Sequence, residues 1–172
     1  MCVVCVAHVA HKCVYPRFEG EYFRGKNAGS AKVAFVNGDK YNGQMNMGKF
    51  HGQGRFDYSN GRGWYKGEYR HGKQHGRGSR LFMNDSRYEG DFLHGAMHGE
   101  GMMEWLNGDQ YVGEWLEGFP NGRGVYIYAH GDRYEGTEEN SEDFHSTNPP
   151  PPQVRGRLLQ RRVPRPRQID VR

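Results

Sequence analysis

Aromatic, polar and glycine residues alternate along most of this chain, and the pattern restarts every 23 residues. Units open at Phe18, Tyr41, Tyr65, Tyr88, Tyr111 and Tyr134, reading FEGEY, YNGQM, YKGEY, YEGDF, YVGEW and YEGT. The second unit carries one extra residue in NGRGW, and the sixth stops after Gly136. Numbered from the opening aromatic, glycine recurs at position 3 (Gly20, Gly43, Gly67, Gly90, Gly113), at 8 (Gly48, Gly72, Gly95), at 12 (Gly52, Gly76, Gly99) and at 14 (Gly54, Gly78, Gly101, Gly124). Position 5 holds Tyr22, Met45, Tyr69, Phe92 and Trp115; position 18 holds Phe35, Tyr58, Phe82, Trp105 and Tyr128. On strands, positions 1, 3 and 5 share one face, and so do 12, 14, 16 and 18. A fixed period of this size marks a stacked array in which each unit touches chiefly its neighbours.

Two turns per unit follow from the glycines. Gly at positions 8 and 12 predicts a three-residue loop between them, such as KQH or FPN. A second turn follows position 18, at Asn37-Gly38-Asp39, Asn60-Gly61-Arg62, Asn107-Gly108-Asp109 and His130-Gly131-Asp132. Asn-Gly between alternating segments predicts a hairpin with positive φ at both central residues. Each unit is then two antiparallel strands. The predicted fold is all-β: a single-layer, twisted antiparallel meander of repeated β-hairpins with disordered termini. Helix is excluded by the glycine at four places per unit. Glycine weakens strands unless something uses the missing side chain. Here rings at positions 1, 5 and 18 would lie across the bare backbone. The predicted aromatic seam includes Tyr65, Tyr69, Phe82, Tyr88, Phe92, Trp105, Tyr111, Trp115 and Tyr128.

The register Tyr-x-Gly-x-(Trp/Tyr/Phe)-x-x-Gly-x-x-x-Gly-x-Gly resembles the MORN (membrane occupation and recognition nexus) repeat. The resemblance covers residues 18–137, with departures at Phe18, Met45, Ala31 and Met83-Asn84-Asp85. It divides the chain into an N-terminal extension (1–17), an array (units 18–40, 41–64, 65–87, 88–110 and 111–133, with a partial unit at 134–137) and a tail (138–172). The small array-only members it resembles are axonemal or cytoskeletal.

Charge separates array from tail. Residues 1–140 carry 17 basic and 17 acidic side chains, so the net charge of +4 lies in residues 141–172. A neutral array argues against nucleic acid as a partner. The segment EENSEDFHSTNPPPPQ predicts a solvated linker, and Pro164 and Pro166 prevent a long helix beyond it. The tail's cations are Arg155, Arg157, Arg161, Arg162, Arg165 and Arg167, with Arg172 at the end. No run approaches the ~18 apolar residues of a membrane-spanning helix. The odd count of three cysteines indicates no disulfide framework, and a reducing cytoplasm is the expected compartment.

Three constellations bear on chemistry. Cys2, Cys5, His8, His11 and Cys13 offer zinc ligands. They crowd into one short terminal stretch, whereas closed zinc sites pair separated knuckles, so neither metal nor cofactor is expected. Lys49, His51, His71, Lys73, His75 and Arg77 would line successive loops as a basic ridge for phosphate or an acidic partner, against the plainer reading of solvated loop charge. Acidic residues recur at position 4 (Glu21, Glu68, Asp91, Glu114). Identical spacing in each unit points to a structural role, because catalysis needs a singular constellation. No catalytic residue is expected. The expected function is a non-enzymatic scaffold or adaptor for other proteins in a cytoskeletal or ciliary structure, docking helices or extended segments on the sheet and open to self-association. The alternative is a peripheral membrane module that binds anionic phospholipid through the basic loops or the tail.

Overall fold

The computed structural model describes residues 16–59 and 61–138. Eleven strands lie in one antiparallel sheet in sequence order. They are β1 (Arg17–Phe23), β2 (Lys26–Ala34), β3 (Lys40–Asn46), β4 (Lys49–Asp57), β5 (Trp64–Arg70), β6 (Lys73–Leu81), β7 (Arg87–Leu93), β8 (Ala96–Glu104), β9 (Gln110–Leu116), β10 (Phe119–Ile127) and β11 (Arg133–Glu138). The all-β meander expected from the repeat is therefore the observed fold. The zinc candidates Cys2, Cys5, His8, His11 and Cys13 and the tail arginines lie outside the described residues.

The two turns exchange the roles the sequence predicts. The three-residue loop between positions 8 and 12 does not form. Its KQH and FPN residues begin β6 and β10, and the chain instead reverses in two residues at positions 7 and 8. Both carry positive φ, as in His71 (52°) with Gly72 (87°) and His94 (55°) with Gly95 (100°). Positive φ at both central residues defines the hairpin turn whose twist matches that of its strands. The Asn-Gly turn takes the longer form. Gly38 donates to the Phe35 carbonyl and Phe35 to that of Asp39, each at 2.9 Å, and Gly38 (φ 91°) is the left-handed residue there. Asp85 fills that place in the third unit, with φ 60°.

Glycine at position 12 serves a bulge. In the third unit Gly67 faces Gly78 and Glu68 faces His75, so Gly76 and Arg77 have no partner on β5. Gly76 sits at φ 57°, and a Cβ there would strike the Glu68 carboxylate. The position-4 side chain bonds into this bulge where the second unit's Gln44 accepts the Gln53 amide (3.1 Å) and the fourth unit's Asp91 accepts the Glu100 amide (3.4 Å). The recurrent acidic residues thus have a structural job.

The core is one-sided. Glycines at positions 3 and 14 pair across successive strands in a row that includes Gly54, Gly67, Gly78, Gly90, Gly101 and Gly113. The opening tyrosines of the second to fifth units lie over this row. Tyr41, Tyr65, Tyr88 and Tyr111 donate to the carbonyls of Gln44 (2.6 Å), Glu68 (2.9 Å), Asp91 (3.0 Å) and Glu114 (3.3 Å). A Cβ on Gly101 would collide with the Tyr88 ring. Tyr65 and Tyr88 are also wedged edge-to-face between two position-5 rings. Tyr88 meets Phe92 of its own unit and Trp115 of the next, both at 5.1 Å. Such contacts add ~0.5–1.5 kcal/mol each beyond area burial.

Candidate functional site

The structure buries Tyr65, Tyr69, Tyr88, Phe92, Tyr111 and Trp115 of the predicted seam, while Phe82, Trp105 and Tyr128 are half-buried. These last three stand at position 18, one residue past the strand end, where the turn carries the ring to the sheet margin. Full burial of Trp105, which its place in the seam implies, is therefore not observed. Positions 10 and 16 are part of the core that sequence reasoning missed: Met103, Tyr126 and Pro120 are buried and Phe50, Phe56 and Met97 pack beside them.

The opposite face carries an open trough of about 970 Å³. One row of side chains runs across this face in register, Arg55, Lys66, Ser79, Glu89, Met102, Val112 and Val125, of which Arg55, Lys66, Ser79, Glu89 and Val112 line the trough. The row is basic on β4 and β5, acidic on β7 and apolar from β8 to β10. Arg77, Glu100, Glu114 and Arg123 also line the trough, and its floor is the glycine row. Trp64, also missed, lies at the basic end with the Arg55 guanidinium 4.8 Å from its ring. Its placement was legible, because alternation puts the residue before Tyr65 on the other face.

Of the predicted basic ridge, only His71 occupies a turn; Lys49, His51, Lys73, His75 and Arg77 lie in β4 and β6. Their repeat positions still bring neighbours together, with ring centroids 5.7 Å apart for His51 and His71 and 5.9 Å for His75 and His94. Arg77 pairs with Asp91 at 3.5 Å, on the trough side. No group of three or more metal-ligating side chains gathers among the described residues. Exposed apolar residues flank the ridge at Phe23, Met47, Leu93 and Leu116.

The long turns tie one unit to the next. Asp39 accepts the Ser59 amide (2.7 Å) and pairs with Arg62 (3.2 Å); Asp109 accepts the Ala129 amide (2.8 Å) and the Tyr126 hydroxyl (2.8 Å). The Ser59 amide above all holds the Asp39 carboxyl below the ordinary range. Burial pushes Asp109 up, but its three donors (Ala129, Tyr126 and Asn107) outweigh burial and leave it low. Burial raises the seam phenols, Tyr41 to about 12 and Tyr65, Tyr69 and Tyr88 further.

Stacked hairpins with one ring-packed face define a repeat module of the binding type. The sequence profile described as MORN repeat matches residues 41–61, 65–87, 88–110 and 111–133. The chain belongs to the MORN-repeat family. The curated proteins give no match. Among solved structures, a similar one is the SAS-4 (dCPAP) TCP domain in complex with a proline-rich motif of Ana2 (dSTIL) from Drosophila melanogaster. Identity is 12%, the match covers 77% of this chain and 84% of that one, and the TM-score is 0.42, a likeness too loose to speak for this chain.

Proposed function

We propose that this chain is a non-enzymatic adaptor that holds a segment of another protein in the trough. The observation that carries this reading is the graded row from Arg55 and Lys66 to Met102, Val112 and Val125. Charge at one end and apolar surface at the other give a docked segment both direction and register. The floor's backbone groups are already paired in the sheet, so a segment lying across the strands must satisfy its own, as a helix does. The cellular setting we favour is cytoplasmic, on a cytoskeletal or ciliary structure.

Proximity labelling with the full chain in a ciliated cell tests both parts. A double variant, Lys66→Glu with Val112→Asp, should lose a defined set of neighbours while keeping its β spectrum, and the tagged chain should mark the axoneme. An unchanged set of neighbours would sink the trough as the binding face.

A second reading draws on a separate feature. Phe23, Met47, Leu93 and Leu116 project at the short-turn edge beside Arg24, Lys26, Lys49 and Lys73. Apolar tips beside cations suit an anionic membrane surface. No helix among the described residues is long and apolar enough to cross a membrane. Full-chain cosedimentation with phosphoinositide vesicles at physiological salt, repeated with Leu93→Ser and Leu116→Ser, separates the readings. Lipid-selective binding lost in those variants favours the membrane.

A further inference from the structure

The third unit breaks the pattern of its neighbours on the aromatic face. At position 10 the second, fourth and fifth units carry Phe50, Met97 and Pro120; the third carries Gln74. At position 16 the other units have Val33, Phe56, Met103 and Tyr126; the third has Arg80. Arg80 sits in β6 directly between two of the most buried rings, opposite Tyr65 on one side and Tyr88 on the other. Its guanidinium carbon lies 4.6 Å from the Phe82 ring centroid and 5.8 Å from that of Tyr58. The Gln74 amide reaches the Tyr58 hydroxyl at 3.4 Å, so Tyr58 bridges the two departures.

This polar node is incomplete. Gln74 is only 8% exposed, yet among the described residues its Oε1 has no hydrogen-bond partner, and neither has the buried Arg80 Nε. Arg55, Arg62, Arg77 and Arg87 each lie within 4 Å of a carboxylate, whereas Arg80 has no such pairing among the described residues. Stacking on rings offsets part of the cost of a half-buried cation. It does not satisfy an N–H that points away from solvent, and an orphaned buried donor is destabilising. The apolar residues of neighbouring units would avoid that penalty. Polar groups with unmet partners on an otherwise ring-packed face have the character of a recognition site.

We propose that Arg80, set between Phe82 and Tyr58 and backed by Gln74, is a carboxylate-binding site on the aromatic face. It would take a Glu or Asp side chain flanked by apolar residues in a partner segment. The carboxylate accepts from the Arg80 guanidinium, the flanking apolar groups cover Tyr58, Phe82 and Phe56, and Gln74 holds Tyr58 in place through its hydroxyl. Arginine suits a carboxylate because its planar donors meet two oxygens at once. The site rests on the reading of the chain as a protein-binding module, but it lies on the face opposite the trough and fails or stands separately from it.

The test follows the side-chain Nε–H resonance of Arg80 in the full chain, assigned by its loss in Arg80→Met, and reads binding to the variants from backbone amide shifts. The probes are acetyl-Leu-Glu-Leu-amide and its glutamine counterpart. The glutamate probe should shift the Arg80 resonance saturably, and the glutamine probe should bind at least tenfold more weakly. Arg80→Met and Gln74→Met, which restore the residue type of the fourth unit, should each weaken the glutamate probe while melting no lower than the native chain. An Arg80 resonance unmoved by the glutamate probe would overturn the site, as would equal shifts by both probes or undiminished binding to Arg80→Met. Binding that survives Arg80→Met but is lost in Lys66→Glu would place the probe in the trough, sinking this site and leaving the adaptor reading intact.

Discussion

Individual glycines in this sheet do unlike jobs, and substitution exposes the difference. A Cβ on Gly90 would meet the Gly101 backbone at 2.5 Å and the Glu100 carbonyl at 2.6 Å, neither of which is a flexible side-chain end. Gly95 has φ +100° and open space around its Cβ direction. Gly90→Ala should cost about 3 kcal/mol by overpacking, and Gly95→Ala about 1–2 kcal/mol from φ alone. Denaturant unfolding of both variants checks the order. The tryptophans should divide likewise. Trp115→Ala, at a buried position, should cost about 3–5 kcal/mol, and Trp105→Ala distinctly less. A pH prediction follows from the buried phenols. An unfolded tyrosine ionises near pH 10, whereas Tyr41, Tyr65, Tyr69 and Tyr88 hold their protons higher. Above pH 10 the unfolded chain therefore binds fewer protons than the folded one, and stability falls as pH rises. The slope is up to about 1.4 kcal/mol per pH unit for each phenol. Spectrophotometric titration should show these tyrosines ionising only with unfolding.

At the level of elements, the linking turns are the sensitive points. Asp109→Ala removes acceptors from the Ala129 amide and the Tyr126 hydroxyl and should cost about 1–2 kcal/mol. Because stability in arrays is shared between neighbours, hydrogen exchange should quicken in β10 as well as at the mutated turn. The Asp39 carboxyl titrates low when folded, so its contribution is complete above about pH 4 and fades as pH falls through its folded value. The meander and the buried face were legible because the spacing of Tyr and Gly admits only an alternating strand. The turns were legible in number but not in kind. Gly72 completes a two-residue reversal and Gly76 a bulge, and a sequence marks both alike, as glycine. Arg80 and Gln74 were hidden for the converse reason: at an unnoticed core position, a polar residue reads as ordinary surface until the neighbouring strands are seen.

For the molecule as a whole, charge and shape are distributed separately. The balanced array leaves the net positive charge in residues 141–172. Deleting that tail should abolish salt-sensitive attraction to anionic vesicles and leave trough-dependent partner capture unchanged, as read by cosedimentation and labelling on the same variant. Capture that falls with the tail would place the partner's contact there.

The short reversals also have a direction. Gly72 donates its amide to Phe50 O (2.8 Å), Gly95 to Gln74 O (2.9 Å) and Gly118 to Met97 O (2.9 Å), always to the unit before. A newly made hairpin therefore finds its acceptor already in place upstream, together with the ring against which its own tyrosine or tryptophan will wedge. That bond requires no downstream acceptor. Such a chain is suited to assembly from a ribosome: each hairpin can lock onto the last as it emerges, and closure never waits for the far end of the polypeptide.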